Sequence, residues 1–570
     1  MTKTPPGPLE APVTDRDRTV IYLAILIALF LAALDQTIVA TALPQMVEDL
    51  QGIDRYAWVA TAYLLASTGV ALIYGKLADT YSRKYITLGA IALFLVGSVL
   101  CGLSGELGNL PLLGDGMTQL VIFRGIQGAG GGGLFAMTFI VIADLFTPAE
   151  RGKYQGYVGA VFGLASVLGP LIGGLLTDNA GGLIPGVEGW RWVFYVNIPV
   201  GAVALWFIGR RMPKLEPPGE RQMPDLAGGA LLLGGLIPLV MSLQLDKRAY
   251  PWTSLVTVGL FAFGAALLTA FVLRSRKVKS PILDMRLFSD PVFRAANAST
   301  FFFGASFMSV TIFLPLFLVN VLGVSATRAG AALIPFSMGI VFSATLAGQI
   351  VHRIGYRGQI FGGGLVFLMT VVLLARMGPD VPYSLVMLYM ILAGLGVGPG
   401  MPLFTLAIQN AVDVRLVGQA TSAAQFFRQT GATVGAALMG TVLASTLALS
   451  FSAIDMPDAW SVRSDATLEE LVSTGGADLP ARIGSIYAEL AAETDTPEEA
   501  QAVLAQGTVL SERVATEVRQ AFALATSRIY WFTVILVLVA TALVLLIPEL
   551  PLRTTHDRAV LEPTPVPERS

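Results

Sequence analysis

Three ionisable side chains, those of Asp35, Arg124 and Arg428, lie inside long apolar runs of the sequence. An ionisable residue in such surroundings is a functional candidate by default, because a charge is costly to keep in an apolar medium. A carboxyl group with apolar surroundings and a nearby cation can be tuned to take up and release a proton. We therefore predict that Asp35 carries a proton, with Arg124 and Arg428 in the same proton-coupling set. The alternative for each is a structural ion pair between two helices, although Arg428 has no obvious acidic partner in the fifth run.

Glutamines inside the same runs are the second group of candidates. Gln425 and Gln429 are four residues apart, so on a helix they share one face, close to Arg428. We predict that they line a cavity for a small molecule, together with Gln36 and Gln127.

The other residues that could take part in catalysis, cysteine and histidine, are few and give little support for an enzyme. The chain has one thiol, Cys101, and two histidines, His352 and His556, both outside the apolar runs. An embedded enzyme would need a nucleophile–base pair or metal ligands at depth. The glycines from Gly128 to Gly133 follow no strand and precede no Lys-Ser or Lys-Thr, so they do not match a phosphate-binding loop. We expect no enzymatic activity, no cofactor and no metal site.

Membrane helices are the elements that must position these residues. The 570 residues are 54% hydrophobic and only 13% charged, and they include 60 glycines, whereas soluble domains are roughly 25% charged. The net charge of −2 gives no case for nucleic-acid binding. Apolar runs of about 20 residues predict an all-α polytopic protein with fourteen transmembrane helices between residues 20 and 547.

Lysine and arginine gather at one end of the predicted helices, which we name the basic face; the opposite end is the acidic face. The basic face takes Lys76, Arg83, Lys84, Arg151, Lys153, Arg210, Arg211, Lys214, Arg274, Arg276, Lys277, Lys279, Arg353, Arg357 and Arg415. The acidic face takes Glu48, Asp49, Glu106, Asp115, Asp178, Glu188 and Asp380. By the positive-inside rule the basic face is cytoplasmic. An even number of spans then places both termini in the cytoplasm, in a multi-pass protein of the cell (inner) membrane.

One connection at the acidic face, residues 451–526, is far longer than the others and carries many more acidic than basic side chains. Within it, "TPEEAQAVLAQ" has the pattern of a helix start, with Thr496 as N-cap, Pro497 in the first turn and Glu499 completing a capping box. We predict a helical extracytoplasmic segment. It is either a solvated acidic connector or a docking surface for an outer protein partner.

Two pairs of segments recur at nearly the same distance along the chain. "GKLADTYSRKYITLG" (75–89) is echoed by "GQIVHRIGYRGQIFG" (348–362), and "GIQGAGGGG" (125–133) is echoed by "AGLGVGPG" (393–400). Echoes at a matching offset indicate duplicated halves. The predicted parts are a tail (1–19), a six-helix bundle (20–210), a linker with two inserted helices (211–290), the first five helices of a second bundle (291–450), the acidic segment (451–526), the last helix (527–549) and a tail (550–570).

Several stretches resemble the major facilitator superfamily. "GKLADTYSRK" (75–84) resembles its signature between the second and third helices, with Thr80 where Arg is usual and Ser82 where Gly is usual. "LDQTIVATALP" (34–44), with Ala40 where Asn is frequent, "RGIQGAGGGG" (124–133) and "GLASVLGPLIGG" (163–174) resemble further signatures, the last being the exporter pattern. "WRWVFYVNIPVG" (190–201) and "GQATSAAQFFRQTGATVG" (418–435) are similar to the fourteen-helix drug:proton antiporters.

The resemblance implies two pseudo-symmetric six-helix bundles with two inserted helices. It also implies an antiporter helix motif at Gly163, Gly169, Pro170, Gly173 and Gly174, and a cytoplasmic gate motif at Gly75, Asp79, Arg83 and Lys84. Physically, such a charged loop can act as a latch between two rigid halves. Asp79 would lie at a helix N-terminus of the other half, where the helix dipole favours an anion, while Arg83 or Lys84 pairs with an acid.

The expected function is proton-coupled antiport that exports amphipathic or cationic drugs and other organic compounds by alternating access. The expected partners are the small-molecule substrate, protons and the lipid bilayer, and the expected state is a monomer. The alternative is an exporter of a physiological lipid, siderophore or metabolite whose outer segment docks a partner.

Overall fold

The computed structural model describes residues 15–50, 55–108, 114–179, 187–216, 225–245, 249–454, 479–494 and 496–552. Their regular secondary structure is helical, and fourteen helical stretches are long and apolar enough to cross a membrane. The predicted all-α class and the predicted number of spans are confirmed. In chain order the helices are α1 (Asp15–Leu50), α2 (Tyr56–Ala78), α3 (Arg83–Gly102), α4 (Gly116–Leu145), α5 (Pro148–Asn179), α6 (Trp192–Tyr195), α7 (Asn197–Arg211), α8 (Leu226–Gln244), α9 (Leu255–Ser275), α10 (Pro291–Asn320), α11 (Ala326–Ala331), α12 (Leu333–Ile354), α13 (Tyr356–Ala375), α14 (Tyr383–Val397), α15 (Gly400–Ala411), α16 (Val417–Ser452), α17 (Leu479–Ala492) and α18 (Pro497–Val544).

Three spans are built from more than one helix. The sixth joins a 3₁₀ turn to α6 and α7, the tenth joins α11 to α12, and the twelfth joins α14 to α15. Pro399 stands between α14 and α15 and has no N–H to continue the ladder. A broken helix is tolerated inside a membrane protein when neighbouring helices bond the freed backbone groups. Ser343 of α12 supports α14 just before this break, since its hydroxyl donates to the carbonyl of Gly394 over 3.2 Å.

The spans form two bundles with matching organisation. In the first bundle α1 packs against α4, α5 and α7; in the second, α10 packs against α15, α16 and α18 in the same way. Phe94 and Leu134 lie in the apolar core of the first bundle, and Phe293 and Phe367 lie in that of the second. The first six spans therefore correspond to the last six, which leaves α8 and α9 as the inserted pair.

The inserted pair covers one seam between the bundles. α8 packs against α9, and it also contacts α2 of the first bundle and α16 of the second. At the basic face, Arg274 of α9 donates from Nε and Nη2 to the carboxylate of Asp225, at 2.8 to 2.9 Å. These hydrogen bonds from Arg274 lower the pKa of Asp225 below its ordinary value. The ion pair ties the two ends of the inserted hairpin together.

The bundles touch each other near the basic face at two glycine crossings. A Cβ on Gly75 of α2 would overlap the carbonyl of Gly418 of α16, and a Cβ on Gly348 of α12 would overlap the backbone of Gly152 of α5. Only glycine permits backbones to approach so closely. The two crossings are equivalent, because α2 of the first bundle corresponds to α12 of the second and α5 corresponds to α16. A duplicated architecture predicts such a pair of crossings.

Arg191 fixes the acidic face of the first bundle. It lies 3.0 Å from Glu106 and 3.7 Å from Asp49, and its Nη1 donates to the carbonyl of Gly102 over 2.7 Å. Its guanidinium lies over the ring of Trp190, 4.4 Å from the centroid. One buried cation thus joins the ends of α1 and α3 to the start of the sixth span, so this bundle is tied into one unit.

The last membrane helix does not begin at the predicted boundary of residue 527. α18 runs without a break from Pro497 to Val544, 48 residues, or about 72 Å at 1.5 Å per residue. No proline follows Pro497 until Pro548, so nothing in the sequence interrupts the helix. The N-terminus of α18 agrees with the helix start predicted at Thr496. Thr496 is the N-cap, and its hydroxyl accepts from the N–H of Glu499 over 3.3 Å.

α17 packs antiparallel on the part of α18 that extends past the acidic face. Ile483 and Tyr487 of α17 are buried against this part of α18, where Gly507 permits the approach of Tyr487 and Val514 is fully buried. The predicted helical extramembrane segment is therefore a two-helix hairpin continuous with the last span. The predicted residues 455–478 of this segment lie outside the described part of the chain.

Candidate functional site

Asp35 and Arg124 form a closed ion pair inside the first bundle. Arg124 Nη1 lies 2.6 Å from Asp35 Oδ2, and the exposed fractions of the two residues are 2% and 0%. The guanidinium also lies over the ring of Tyr63 of α2, with Cζ 4.4 Å from the centroid. Each charge needs the other, because either one alone would be uncompensated in an apolar medium.

Two amides and a hydroxyl complete the surroundings of this carboxylate. Gln127 Nε2 and Asn197 Nδ2 donate to Asp35 Oδ1 over 2.7 and 3.1 Å. Both amides also donate to Ser98 Oγ, over 3.1 and 3.0 Å, and the Ser98 hydroxyl donates to the carbonyl of Phe194 over 2.9 Å. Side chains from α1, α3, α4 and α7 therefore converge on one carboxylate.

The network around Asp35 can accommodate a proton as well as a charge. Both oxygens of Asp35 now accept hydrogen bonds, which suits the ionised form. Asn197 Oδ1 is buried and has no hydrogen-bond partner among the described residues. Turning the amide of Asn197 by half a rotation would present this oxygen to Asp35, where it would accept from a protonated carboxyl. Asp35 is thus a buried carboxylate whose two oxygens are both hydrogen-bonded.

Asp79 joins the two bundles at the basic face. Its Oδ1 accepts from the N–H of Gly418 over 2.9 Å, and its Oδ2 accepts from the N–H of Gln419 over 2.9 Å. These donors are the first free N–H groups of α16, so the carboxylate also faces the positive end of a helix dipole. Burial raises the pKa of Asp79 to about 7, although Arg83, the two N–H donors and Lys76 oppose the shift. This contact is named the latch below.

The other residues of the predicted gate motif support the latch from the first bundle. Arg83 Nε lies 2.9 Å from Asp144 Oδ2 at the end of α4. Gly75 makes the close crossing with α16 that lets Asp79 reach the N-terminus of that helix. Lys84 is half-buried and forms no ion pair with any described residue. Of the two cations predicted to pair with an acid, the structure therefore pairs Arg83.

The glycines of α5 have two different neighbours. Gly163 faces Ser337 and Val341 of α12 in the other bundle, and it continues the crossing that begins at Gly152. Gly169 faces Thr37 and Gly173 faces Thr41, both on α1 of the same bundle. Pro170 lies inside α5 and is exposed, and a Cβ on Gly174 would meet open space. The predicted antiporter motif is thus mainly a packing surface that holds α5 between α1 and α12.

Polar side chains link the bundles above the glycine crossings. Gln409 of α15 donates to the carbonyl of Phe139 of α4 over 3.3 Å and to Thr421 Oγ1 of α16 over 3.0 Å, and it accepts from Gln155 Nε2 of α5 over 3.0 Å. These contacts and the latch lie on the half of the molecule near the basic face. The structure is therefore closed at that face.

A cavity lies between the bundles on the acidic side of these contacts. It is lined by Phe162 and Ser166 of α5, Phe307 of α10, and Phe336 and Ser337 of α12. None of the described residues that line it is charged. Its lining of aromatic rings and hydroxyls is amphipathic, and its volume in this closed state is about 60 Å³, below the roughly 300–1,000 Å³ of pockets that hold drug-sized ligands.

The four predicted cavity glutamines are placed differently from one another. Gln429 Oε1 bridges the bundles by accepting from Thr68 Oγ1 of α2 over 2.8 Å, and Gln425 Oε1 accepts from Arg428. Gln36 bonds the hydroxyl of Tyr63 inside the first bundle. Gln127 is fully buried in the Asp35 network, so its predicted place on a cavity wall is not the one observed.

Arg428 does not join Asp35 and Arg124, although all three were predicted to act together. Its described hydrogen bonds, from Nε and Nη2, both go to Gln425 Oε1 on its own helix. No described carboxylate lies within ion-pair distance of it. The three charges are therefore divided between a neutralised pair inside one bundle and a single cation on the other.

Sequence reasoning missed Asn197 and Ser98 as parts of the site. Each is a polar residue within an apolar stretch, and that was the signal that identified Gln127. Their role depends on how α3 and α7 pack against α1, which spacing along one helix cannot show.

The fold and the site together define a two-bundle membrane transporter with an internal charge network and a hydrogen-bonded contact between the bundles at one end. The profile of the Major Facilitator Superfamily matches residues 25–436, and the chain belongs to this family.

The chain is similar to multidrug transporter protein MdtP of Bacillus subtilis (strain 168), with 38% identity over 75% of each chain. It is also similar to multidrug resistance protein 3 of the same organism, with 37% identity over 74% of this chain and 79% of the relative. An MFS-type transporter of Mycobacterium tuberculosis (strain ATCC 25618 / H37Rv), Rv1877, is 32% identical over 97% of this chain and 72% of its own length.

Two solved structures share the fold at low identity. The human organic anion transporter MFSD10 matches with a TM-score of 0.55 and 13% identity, over 91% of this chain and 99% of that one. The proton:xylose symporter XylE matches with a TM-score of 0.53 and 14% identity, over 74% and 88%. These likenesses support the fold alone.

Proposed function

We propose that this protein is a proton-coupled antiporter that exports amphipathic organic compounds, including drugs, by alternating access. The observation that carries the proposal is the Asp35 network, a buried carboxylate whose neighbours suit both of its protonation states. The names of the multidrug relatives support drug export and do not favour the alternative of a lipid, siderophore or metabolite exporter.

In this proposal the basic face is cytoplasmic, by the positive-inside rule, and both termini are in the cytoplasm. The protein lies in the cell (inner) membrane and works as a monomer. The described state is then closed towards the cytoplasm. The cavity between the bundles is on the outer side of the closure, where substrate would leave. Protons would reach Asp35 from the acidic face, and the protonated, empty carrier would return to accept substrate from the cytoplasm or the inner leaflet.

Protonation of Asp35 would act on the latch through α4. When Asp35 is ionised it holds Arg124 of α4; when it is neutral, Arg124 loses its counter-charge and must find new partners. The far end of the same helix carries Asp144, which holds Arg83 beside the latch. α4 therefore connects the proton site physically to the gate, as an element that both sites can bias.

The energy that protons supply is sufficient for such a switch. Moving one charge through 100 mV corresponds to about 2.3 kcal/mol, and about 1.4 kcal/mol already shifts an equilibrium tenfold. One proton per cycle can therefore reverse the populations of two nearly equal conformations.

Transport by the purified full-length protein in proteoliposomes tests the proposal. A panel of amphipathic dyes, cationic, uncharged and anionic, is offered with and without a pH gradient. The proposal expects uptake of dyes against their concentration gradients only when the pH gradient is present. Dye movement that ignores the pH gradient, or the absence of movement for every dye in the panel, would refute proton-coupled drug export.

A further inference from the structure

One uncompensated charge lies deep in the second bundle. Asp35 and Arg124 neutralise each other inside the first bundle, whereas Arg428 has no described carboxylate within ion-pair distance. Arg428 lies eleven residues into α16, about 16 Å from the start of that helix. A cation at this depth is costly unless an anion or polar groups compensate it.

The side chain of Arg428 lies on a face of α16 that runs beside the contacts between the bundles. Thr421, Gln425 and Arg428 are spaced by four and three residues, so they share one face of α16. Thr421 shows where this face points, because it bonds Gln409, which in turn donates to the carbonyl of Phe139 in the other bundle. Arg428 lies two turns further from the basic face, beyond those contacts.

The duplicated architecture gives the same position for Arg428. Phe162 follows the crossing glycine Gly152 by ten residues on α5, and Arg428 follows the crossing glycine Gly418 by ten residues on α16. Phe162 lines the cavity between the bundles. Arg428 therefore occupies on α16 the position that Phe162 occupies on α5, at the same height as the aromatic cavity but at the seam where α16 crosses α2.

We propose that Arg428 and Gln425 form a subsite for the acidic group of an amphipathic substrate, a carboxylate or a phenolate. The apolar part of the same molecule lies in the space between the bundles. This inference rests on the proposed export function and narrows its substrate class from amphipathic compounds in general to those that carry an acidic group.

The geometry suits an anion better than a cation. A guanidinium has five N–H donors, and two of those of Arg428, on Nε and Nη2, are used by Gln425 Oε1, which leaves three for a ligand. Charge-assisted hydrogen bonds from a guanidinium to a carboxylate are short and strong. A cationic substrate at the same place would meet a positive charge, and the one deep carboxylate that the structure describes is already paired with Arg124.

Binding of a matched pair of probes to the detergent-purified full-length protein tests the subsite. The probes are an amphipathic aromatic carboxylic acid and its methyl ester, at a pH where the acid is ionised. We expect the wild-type protein to bind the carboxylate about tenfold more tightly than the ester, as one charge-assisted hydrogen bond implies. Arg428→Gln should remove this preference and leave ester binding unchanged, while Arg428→Lys should keep part of it.

Arg528→Gln is the matched control. Arg528 is another membrane-region arginine, on α18 near the acidic face, where it donates to Thr446 Oγ1 over 3.4 Å. It should retain the full preference for the carboxylate. Wild-type protein that binds both probes equally or binds neither, or a carboxylate preference that survives Arg428→Gln, would overturn the inference. These are binding measurements without a pH gradient, so a failure of proton coupling would leave their result unaffected.

Discussion

At the scale of single residues, the latch contact of Asp79 is the clearest link between chemistry and conformation. Its two oxygens accept the N–H groups of Gly418 and Gln419, which belong to the other bundle. Neither contact can persist when the basic face opens, because that opening separates α2 from α16. The residue therefore contributes to the closed state alone.

Asp79→Asn is expected to loosen the closure of the basic face and to lower transport without unfolding the protein. An asparagine can accept at one oxygen only, and its NH₂ would meet the second N–H donor, unlike either oxygen of a carboxyl group; leaving that buried N–H without an acceptor costs about 1–3 kcal/mol. Spin-label distances across the basic face measure the effect, and Asp144→Asn, which breaks the neighbouring Arg83 pair, is the comparison. An unchanged distance distribution in a folded Asp79→Asn protein would contradict the latch.

The latch should also respond to pH. Burial raises the pKa of Asp79 to about 7 in the closed state, whereas an exposed aspartate has a pKa near 3.9. The closed state then binds more protons between about pH 4 and pH 7, so the contribution of Asp79 to closure grows as pH falls through 7 and is lost as pH rises through it. The same spin-label distances at pH 6 and pH 8 should show more closed protein at pH 6. Asp79→Asn should lose this difference; a difference that persists in the variant would assign the pH response to another group.

Residue-scale features were only partly predictable from the sequence. The contact of Asp79 with a helix N-terminus was predicted from the resemblance of residues 75–84 to a family signature, and the proximity of Arg124 to Asp35 from their depth in the apolar runs. Gln127 was wrongly assigned to a cavity wall, because its burial depends on how α3 and α7 pack, which the sequence does not show. Asn197 was missed for the same reason. Burial inside a bundle depends on how the helices pack, and the spacing of residues along one helix does not show which of them the other helices cover.

At the scale of helices, α18 is one continuous helix that forms the last span and one arm of the hairpin at the acidic face. Its extramembrane part packs on α17 and on the end of α16, where Phe451 and Phe522 are in edge-to-face contact. The number of helices was predictable because length and apolarity are written in the sequence. The continuity of α18 through residue 527 was not predictable in this way, because the predicted boundary followed the change in polarity. A helix continues wherever its backbone hydrogen bonds continue, and polar residues support these equally well.

Removal of residues 455–512, replaced by a short Gly/Ser linker, is expected to leave export of amphipathic dyes largely intact. The described contacts that close the molecule are at the basic face, about a membrane thickness away from the hairpin. The deletion exposes Val514 and Val518, which α17 covers, so thermal stability should fall modestly. Dye transport in proteoliposomes is the measurement. Complete loss of transport by a correctly inserted deletion protein would show that the hairpin takes part in the cycle.

At the scale of the whole molecule, the two bundles differ in chemistry although they share an architecture. The first bundle carries the titratable network, and the second carries the helix N-terminus that the latch holds and the lone cation Arg428. The inserted pair of α8 and α9 covers the seam at α2 and α16, while the seam at α5 and α12 is closed near the basic face by glycine crossings. In the proposed cycle, proton binding in the first bundle would change its contact with the second, while Arg428 of the second bundle would keep its surroundings.

The central claim is that Asp35 carries the proton that drives export. Asn197 and Gln127 hold its carboxylate in place, and Arg124 compensates its charge. A proton carrier must change its charge during the cycle, which an asparagine cannot do. Removing the acid also leaves Arg124 unpaired, which can cost about 3–5 kcal/mol, so insertion and thermal stability of the variant are measured first.

The most direct test is dye accumulation by Asp35→Asn in proteoliposomes with a pH gradient as the sole driving force. Asp225→Asn, which removes another buried, arginine-paired carboxylate away from the proposed proton site, is the control and should still accumulate dye. We expect Asp35→Asn to bind dye and to exchange it between the two sides, but not to accumulate it against a gradient. A folded Asp35→Asn protein that concentrates dye as the wild type does would contradict the account, because the proton would then be carried elsewhere.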